Sequence, residues 1–392
     1  MPEALRWLER MVGVNSFTAN AAGVNRLGEL TAECFAPLGF NAEYVPSIRP
    51  EFGSHLFLRR SGAGHPPVVL VTHLDTVFPP EEELRNDFHW EPAAEGRIYG
   101  PGTVDIKGGT MLIWMMLHAL RECAPEVFER TDWLIAANAS EEVIGDDFGA
   151  ATMERTPGQA RAVLVFEGGP RQGHCYHLVS ARKGRAEYRI RAHGRGAHAG
   201  SFHAEGVNAI VALAAAAQAA AQLTNYEKDL TVNVANIQGG TVLNRVPHEA
   251  ALELEMRAFD PAVLGDARRK LEDLGHAGEL SMGRAAIEVE CLGTSPAWPE
   301  MPNARALATS WERAAASLGL SVKITSRGGL SDANYLYRLG PTLDGLGPDG
   351  GCAHCSERSA DGSKTPEYLD ATSMAPKATL NVLALLDLLG AE

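Results

Sequence analysis

Residues 68–79, reading VVLVTHLDTVFP, constrain this chain more than any other stretch. Val68 to Val71 run without a polar break into Thr72, His73, Leu74 and Asp75. A continuous Val/Leu run closed by turn signals suits a central parallel strand buried on both faces. His73 then falls at the strand's carboxyl end, the edge where ligand-binding loops gather in open α/β sheets. An imidazole there, with a carboxylate two residues on, reads in two ways. It is a metal ligand with its orienting partner, or a strand-capping histidine bonded to a nearby aspartate.

The same pattern recurs. DWLIAANAS (132–140) runs into Glu141 and Glu142, and RAVLVF (161–166) runs into Glu167. Three buried strands therefore deliver ionisable side chains to one sheet edge. Like charges gathered in this way are costly unless something positive sits among them. Between the first two strands the irregular stretch 79–109 closes in YGPGTVDIKGG, and MLIWMMLHAL reads as a buried helix. Ahead of them come an amphipathic helix marked by Leu5, Leu8 and Val12, a helix over about 20–38, and extended runs at 41–45 and 54–60.

After about residue 180 the periodicity changes. KGRAEYRIRAHG (183–194) alternates polar and apolar, as a half-exposed strand does. A helix, two strands, a helix and the strand AAIEVEC (285–291) follow. That order, β-α-β-β-α-β, is the split ferredoxin-like unit, with one face covered by helices and one free to meet a partner. Beyond Pro296 and Pro299 the α/β character returns. The expected organisation is an α/β catalytic domain in two parts, 1–180 and 294–392, interrupted by an α+β lid over 181–293.

At 392 residues the chain is too long for one compact core. Its formal charge of −14 argues against nucleic acid or an anionic membrane as partner, though a cleft of opposite sign still admits a small anion. The Ala-rich run 209–221 contains Gln218 and is too short to span a bilayer. With no secretory signal visible and the cysteines mostly scattered, reduced thiols and a cytoplasmic location are expected. Cys352 and Cys355 form a lone C-x-x-C around His354; with no second such pair, neither a zinc knuckle nor a redox motif is indicated.

His73, Asp105, Glu142, Glu167 and His354 make a nitrogen and oxygen donor set that suits zinc, with cobalt or manganese as options. Five protein ligands exceed one catalytic zinc but fit two, with the aspartate bridging. A water between metals about 3.5–4 Å apart becomes a strong nucleophile near neutral pH. Glu141, beside a ligand without being needed as one, is the natural general base. Asp75 is the acceptor expected for the second N–H of His73.

THLDTV, GPGTVDIKGG, SEE, FEGG, GRGAHAG and the segment GGLSDAN, in this order along nearly the whole chain, closely resemble the cocatalytic dizinc metallopeptidases. That family includes glutamate carboxypeptidase (carboxypeptidase G), aminoacylase-1, acetylornithine deacetylase and succinyl-diaminopimelate desuccinylase. The resemblance implies a zinc-peptidase-like catalytic domain with a mostly parallel sheet and a ferredoxin-like lid through which two chains dimerise. It implies two Zn2+ per subunit, held by the five residues above with Asp105 as the bridge, Glu141 as base and Asp75 orienting His73. It also implies a cis peptide at Asp105–Ile106. Glu167 as a glutamate leans towards the carboxypeptidase G and deacylase branches. One departure is visible: relatives read His-Ser-x-x-Glu near the C-terminus, whereas this chain has His354-Cys355-Ser356-Glu357 and then a polar loop to Pro366.

In the lid, His198 lies in GRGAHAGS. It is an exposed turn histidine or, by resemblance, an oxyanion donor that crosses to the partner subunit's site. Asn244 and Arg257 resemble lid residues that hold substrate. A guanidinium suits a substrate carboxylate, and the alternative for Arg257 is a surface ion pair. YGPGTVD is not a dinucleotide turn, because it follows a polar, aromatic loop instead of a buried strand and its glycine spacing is wrong. The expected activity is hydrolysis of an amide bond next to a free carboxylate in a small peptide or N-acyl amino acid. Glutamate carboxypeptidase-type release comes first and N-acyl-amino-acid deacylation second. A metal-binding homologue without activity is disfavoured by the presence of Glu141.

Overall fold

The computed structural model describes residues 1–63, 66–143, 147–276 and 285–390. The chain forms two compact units, one of residues 1–180, 300–326 and 331–392, the other of 181–299 and 327–330.

The first unit is built on a six-stranded sheet in the order Asn41–Pro46, Ser54–Arg60, Trp133–Asn138, Val68–His73, Ala162–Val165, Thr342–Leu343. The first three strands pair antiparallel and the rest pair parallel. Every residue of Val68–His73 and of Trp133–Asn138 is buried, which is why both read as unbroken apolar runs. Their register places His73 opposite Asn138. The ionisable residues that follow each strand therefore leave the sheet at one edge. Helix Gly108–Cys123 buries Met111, Leu112, Ile113, Met116 and Leu117 in the core that covers this sheet.

Some local structure lay outside the sequence reading. Pro80–Arg85, Pro125–Arg130 and Asp147–Glu154 are short helices, and Cys175–Arg182 is a strand. The YGPG turn is preceded by a strand after all, Arg97–Tyr99. It is only three residues long and belongs to a small separate sheet.

In the second unit, four strands lie in the order Thr231–Gly239, Glu249–Ala258, Gly184–His193, Ala286–Ser295, all antiparallel. This is the ferredoxin-like arrangement. The last strand runs on to Ser295, which carries the unit past residue 293. Helices Ala209–Ala221 and Pro261–His276 cover one face, where Tyr188, Ile190, Leu252, Leu254 and Leu271 are buried. The other face carries cross-strand ion pairs, Arg189 to Glu253 at 2.6 Å and Arg191 to Glu290 at 2.7 Å. Opposite charges facing each other across strands, directly for Arg189–Glu253 and diagonally for Arg191–Glu290, stabilise this face. No helix among the described residues is long and apolar enough to cross a membrane.

Candidate metal centre

His73, at the end of its strand, is anchored through its ring. Nδ1 lies 3.0 Å from the main-chain oxygen of Asp75, and a carbonyl can only accept, so Nδ1 carries the hydrogen. In the neutral ring Nε2 is then the nitrogen with the lone pair, the tautomer a metal ligand needs. The Asp75 carboxylate, the expected partner, pairs with the same nitrogen at longer range, Oδ1 standing at 3.4 Å. The carboxylate is engaged by other donors. Glu141 N–H donates to Oδ1 at 3.0 Å, and Glu142 N–H donates to Oδ2 at 3.2 Å. Thr18 Oγ–H also donates to Oδ2, at 2.7 Å.

Among the described residues, two groups of side chains could hold a metal ion, His73–Asp105–Glu167 and Asp105–Glu142–His354. Asp105 is common to both. Its Oδ1 is 3.1 Å from His73 Nε2 and its Oδ2 is 3.3 Å from His354 Nε2. Glu167 Oε1 lies 3.8 Å from His73 Nε2, and Glu142 Oε2 lies 3.2 Å from His354 Nε2. The structure thus brings together all five residues singled out as ligands. The peptide between Asp105 and Ile106 is cis.

The electrostatics follow from this crowding. Burial pushes the Glu141 carboxyl well above its ordinary range; His73 opposes this, while Glu167, Asp332 and Glu142 add repulsion. Glu142 is raised as well, chiefly by burial. Asp105 is held low because its bonds to His354 and His73 outweigh its burial. His354 is pushed up to about 11 by Asp105 and Glu142. Burial pulls His73 down, but Asp105 and Asp75 outweigh it and leave the imidazole raised. Carboxylates that repel one another around two imidazoles are the donor set that divalent cations satisfy. By this chemistry the residues fit two metals sharing Asp105.

Supporting contacts lie behind the site. Asn138 Nδ2–H donates to Asp332 Oδ1 at 2.7 Å, and Ser140 N–H donates to Asn138 Oδ1 at 3.0 Å. Ala139 N–H donates to His55 Nδ1 at 3.1 Å, while His55 Nε2 faces Asp147 Oδ2 at 3.1 Å. Sequence reasoning missed His55, Asn138 and Asp332. SHLFLRR reads as a strand whose histidine has no nearby partner in sequence, and the contacts to Asp147 and Ala139 span 92 and 84 positions. Cys352 and Cys355 frame the turn that bears His354, and neither thiol belongs to a metal-holding group.

The remaining sequence-predicted residues are in the second unit. His198 and Asn244 are neighbours there, with Ala199 N–H donating to Asn244 O at 2.9 Å. His198 Nδ1 accepts the N–H groups of Gly200 and Ser201 at 3.2 and 3.1 Å, so its exposed ring carries the hydrogen on Nε2. Arg257 stands at the far end of its strand. Its Nε and Nη2 donate to the two carboxylate oxygens of Glu255 at 3.1 and 2.9 Å, and its Nη1 donates to Gly328 O at 3.0 Å.

Residues 180–287 match the peptidase dimerisation domain of the M20 peptidases. Over 393 aligned residues the sequence is 25% identical to carboxypeptidase G2 of Pseudomonas sp. (strain RS-16), covering 99% of this chain and 89% of that protein. The second unit thus carries an M20-type peptidase dimerisation domain, and the chain as a whole is similar to carboxypeptidase G2. Solved M20-like structures share its fold. Aminopeptidase PepT from Bacillus cereus superposes with a TM-score of 0.79 at 21% identity, over 99% of this chain and 98% of that one. An M20 family metallo-carboxypeptidase from Sulfolobus solfataricus gives 0.70 at 15% identity, over 98% and 99%.

Proposed function

We propose that this protein is a dizinc hydrolase that cuts an amide bond next to a free carboxylate, releasing a C-terminal amino acid from a peptide or N-acyl conjugate. The observation that carries this reading is Asp105, whose two oxygens face His73 and His354 at 3.1 and 3.3 Å. On this reading His73 and Glu167 hold one zinc, Glu142 and His354 hold the other, and Asp105 holds both. Cobalt and manganese suit the same donors. Such cations supply Lewis acidity towards a carbonyl oxygen and make a water acidic near neutral pH.

The chain's own groups do the rest. Glu141, half-buried and raised in proton affinity, takes a proton from the attacking water and hands it to the departing amine nitrogen. Asp75 holds the backbone of the base and of its neighbouring ligand in register. His198 presents an Nε2–H to the oxyanion, and Asn244 and Arg257 hold the substrate, Arg257 at its carboxylate. The bidentate grip of Arg257 on Glu255 is the geometry a substrate carboxylate would adopt. The protein acts as a homodimer formed through the second unit, which carries the dimerisation-domain match.

The test is a hydrolysis panel run on metal-stripped and Zn2+-restored protein. It contains peptides ending in Glu, Asp or a neutral residue, the corresponding C-terminal amides, and N-acetyl and N-succinyl amino acids. Zn2+-dependent release from free acids, Glu-terminated peptides first, supports the reading. Preference for short acyl groups regardless of the amino acid points to a deacylase. Inactivity on every member with two zinc ions bound overturns both.

A further inference from the structure

Glu367 is fully buried, and its surroundings are not those of a packing residue. Its Oε1 accepts the backbone N–H groups of Val104 and Asp105 at 3.0 and 3.1 Å. Its own backbone ties two further segments together: its N–H donates to Cys355 O at 2.7 Å, and its carbonyl accepts Gly100 N–H at 3.3 Å. One residue thus touches the main chain of Asp105, the residue after His354, and the YGPG turn. Its second oxygen, Oε2, has no hydrogen-bond partner among the described residues. Burying a carboxylate with half its acceptors idle costs free energy, so packing alone does not account for it.

Glu357, by contrast, sits next to the departure from His-Ser-x-x-Glu. It is exposed and forms an ion pair with Lys364, within the polar loop that separates it from Glu367. That loop is anchored at its other end by Ser356, whose hydroxyl donates to Glu82 and accepts from Asn86 at 2.7 Å. The chain makes its excursion after Cys355 and returns at Glu367, adjacent to where it left.

We propose that Glu367 is the positioning residue for the shared ligand Asp105. By accepting two successive N–H groups it fixes the main chain from which the Asp105 carboxylate reaches His73 on one side and His354 on the other. It touches neither metal nor substrate. Through its backbone contact to Cys355 it also couples the Asp105 segment to the turn that carries His354, so both ends of the second metal-holding group rest on one residue. The role requires an acceptor oxygen at this place, not a charge. The inference rests on the reading of Asp105 as a ligand to both metals.

The experiment titrates metal-stripped full-length protein with Zn2+ against a chromophoric chelator and records the visible spectrum of the Co2+-loaded form. Wild type is measured first: failure to bind two ions sinks the metal reading and, with it, the positioning role, and is told apart from a failure confined to the variants. With two ions bound, Glu367→Ala is expected to lose about 10–100-fold in affinity and to change the Co2+ bands. Glu367→Gln, which keeps an oxygen for the two N–H groups, should bind like wild type with an unchanged spectrum. Glu357→Ala should also bind like wild type. An alanine variant that binds as tightly as wild type, or a glutamine variant as impaired as alanine, overturns the proposal. Should the alanine variant not fold, amide hydrogen exchange decides on wild type and Glu367→Gln. Slow exchange at Val104 and Asp105 in both supports the contact, and fast exchange in wild type overturns it.

Discussion

The backbone N–H of Glu141 points at Oδ1 of Asp75, 3.0 Å away, while the N–H of Glu142 meets the other oxygen of the same carboxylate at 3.2 Å. A fully buried aspartate thereby fixes the main chain of the proposed base and of a proposed ligand at once, and its own carbonyl fixes His73. Asp75 is in this sense the keystone between two strand ends as well as the carboxylate beside His73, at 3.4 Å. Asp75→Asn keeps one acceptor oxygen but turns an NH2 group against a backbone N–H. Loss of about 10–100-fold in turnover is expected, the usual effect of disturbing a residue behind a metal site. Because the carbonyl grip on His73 survives, zinc stoichiometry should remain two per chain by elemental analysis. Loss of one zinc with unimpaired turnover per remaining site would show that the carboxylate serves the histidine instead.

Glu141→Gln separates chemistry from binding. Glu141 lies outside both metal-holding groups, and its place among Glu142, Glu167 and Asp332 suits a proton carrier. The variant should retain both zinc ions and lose about 10²–10⁴-fold or more in kcat. Near-normal kcat in the zinc-loaded variant removes Glu141 from the role of base.

Arg257 is already gripping a carboxylate, that of Glu255. A substrate carboxylate at this position must share or displace that partner. Arg257→Ala is expected to raise KM more than it lowers kcat, since the contact is equally present in ground and transition states. The comparison of a free-acid substrate with its amide gives the reading. Wild type should favour the acid and the variant should discriminate less; an unchanged preference would leave Arg257 as a member of a surface ion pair.

The sheet edge was legible because parallel strands buried on both faces leave an unmistakable trace: unbroken apolar runs that end in His73, Glu141–Glu142 and Glu167. The ferredoxin-like unit was legible for the opposite reason, its strict alternation. Side chains that act on distant main chain left no such trace. Glu367 serves Val104 and Asp105 across more than 260 positions, and nothing in KTPEYL marks it. The main-chain grip on His73 was equally invisible, since a carbonyl is present at every residue. Periodicity reports which face is buried; it is silent on which backbone groups a buried polar side chain satisfies.

His55 makes a pH prediction that is separate from the ligands. Its Nδ1 accepts Ala139 N–H, so Nε2 carries the hydrogen towards Asp147. Protonating Nδ1 would break the Ala139 contact, and burial lowers the imidazole's pKa in keeping with this. Asp147 is lowered too: Ile48, Ser47 and His55 together outweigh its burial. A depressed folded pKa means that the unfolded chain binds the proton first. The stability from His55 is therefore complete above its unfolded value of about 6.5 and declines as pH falls below it. The Asp147 contribution declines only further down, below its ordinary value of about 3.9. Thermal melts of metal-stripped wild type and His55→Gln should therefore converge over the window that opens below about pH 6.5. Parallel curves through that window would mean that His55 does not titrate differently on unfolding.

His198 lies in the second unit, away in sequence from every proposed ligand, and its ring is set up as a donor. Gly200 and Ser201 occupy Nδ1, which leaves Nε2–H on an exposed side chain with no need to reorganise its proton. A preorganised donor at an oxyanion is worth about 10²–10³ in kcat. The family resemblance places this histidine in the partner's site, and the dimerisation-domain match covers the segment that bears it. The expected arrangement is two active sites, each using Glu141 of one chain and His198 of the other. Mixing His198→Ala chains with Glu141→Ala chains should then create heterodimers in which one of the two sites has an intact base and an intact donor. Activity should rise well above either parent as the chains exchange, up to half of the wild-type value per fully mixed dimer. If exchange is complete by mass spectrometry and the mixture stays as inactive as its parents, His198 does not act across the dimer.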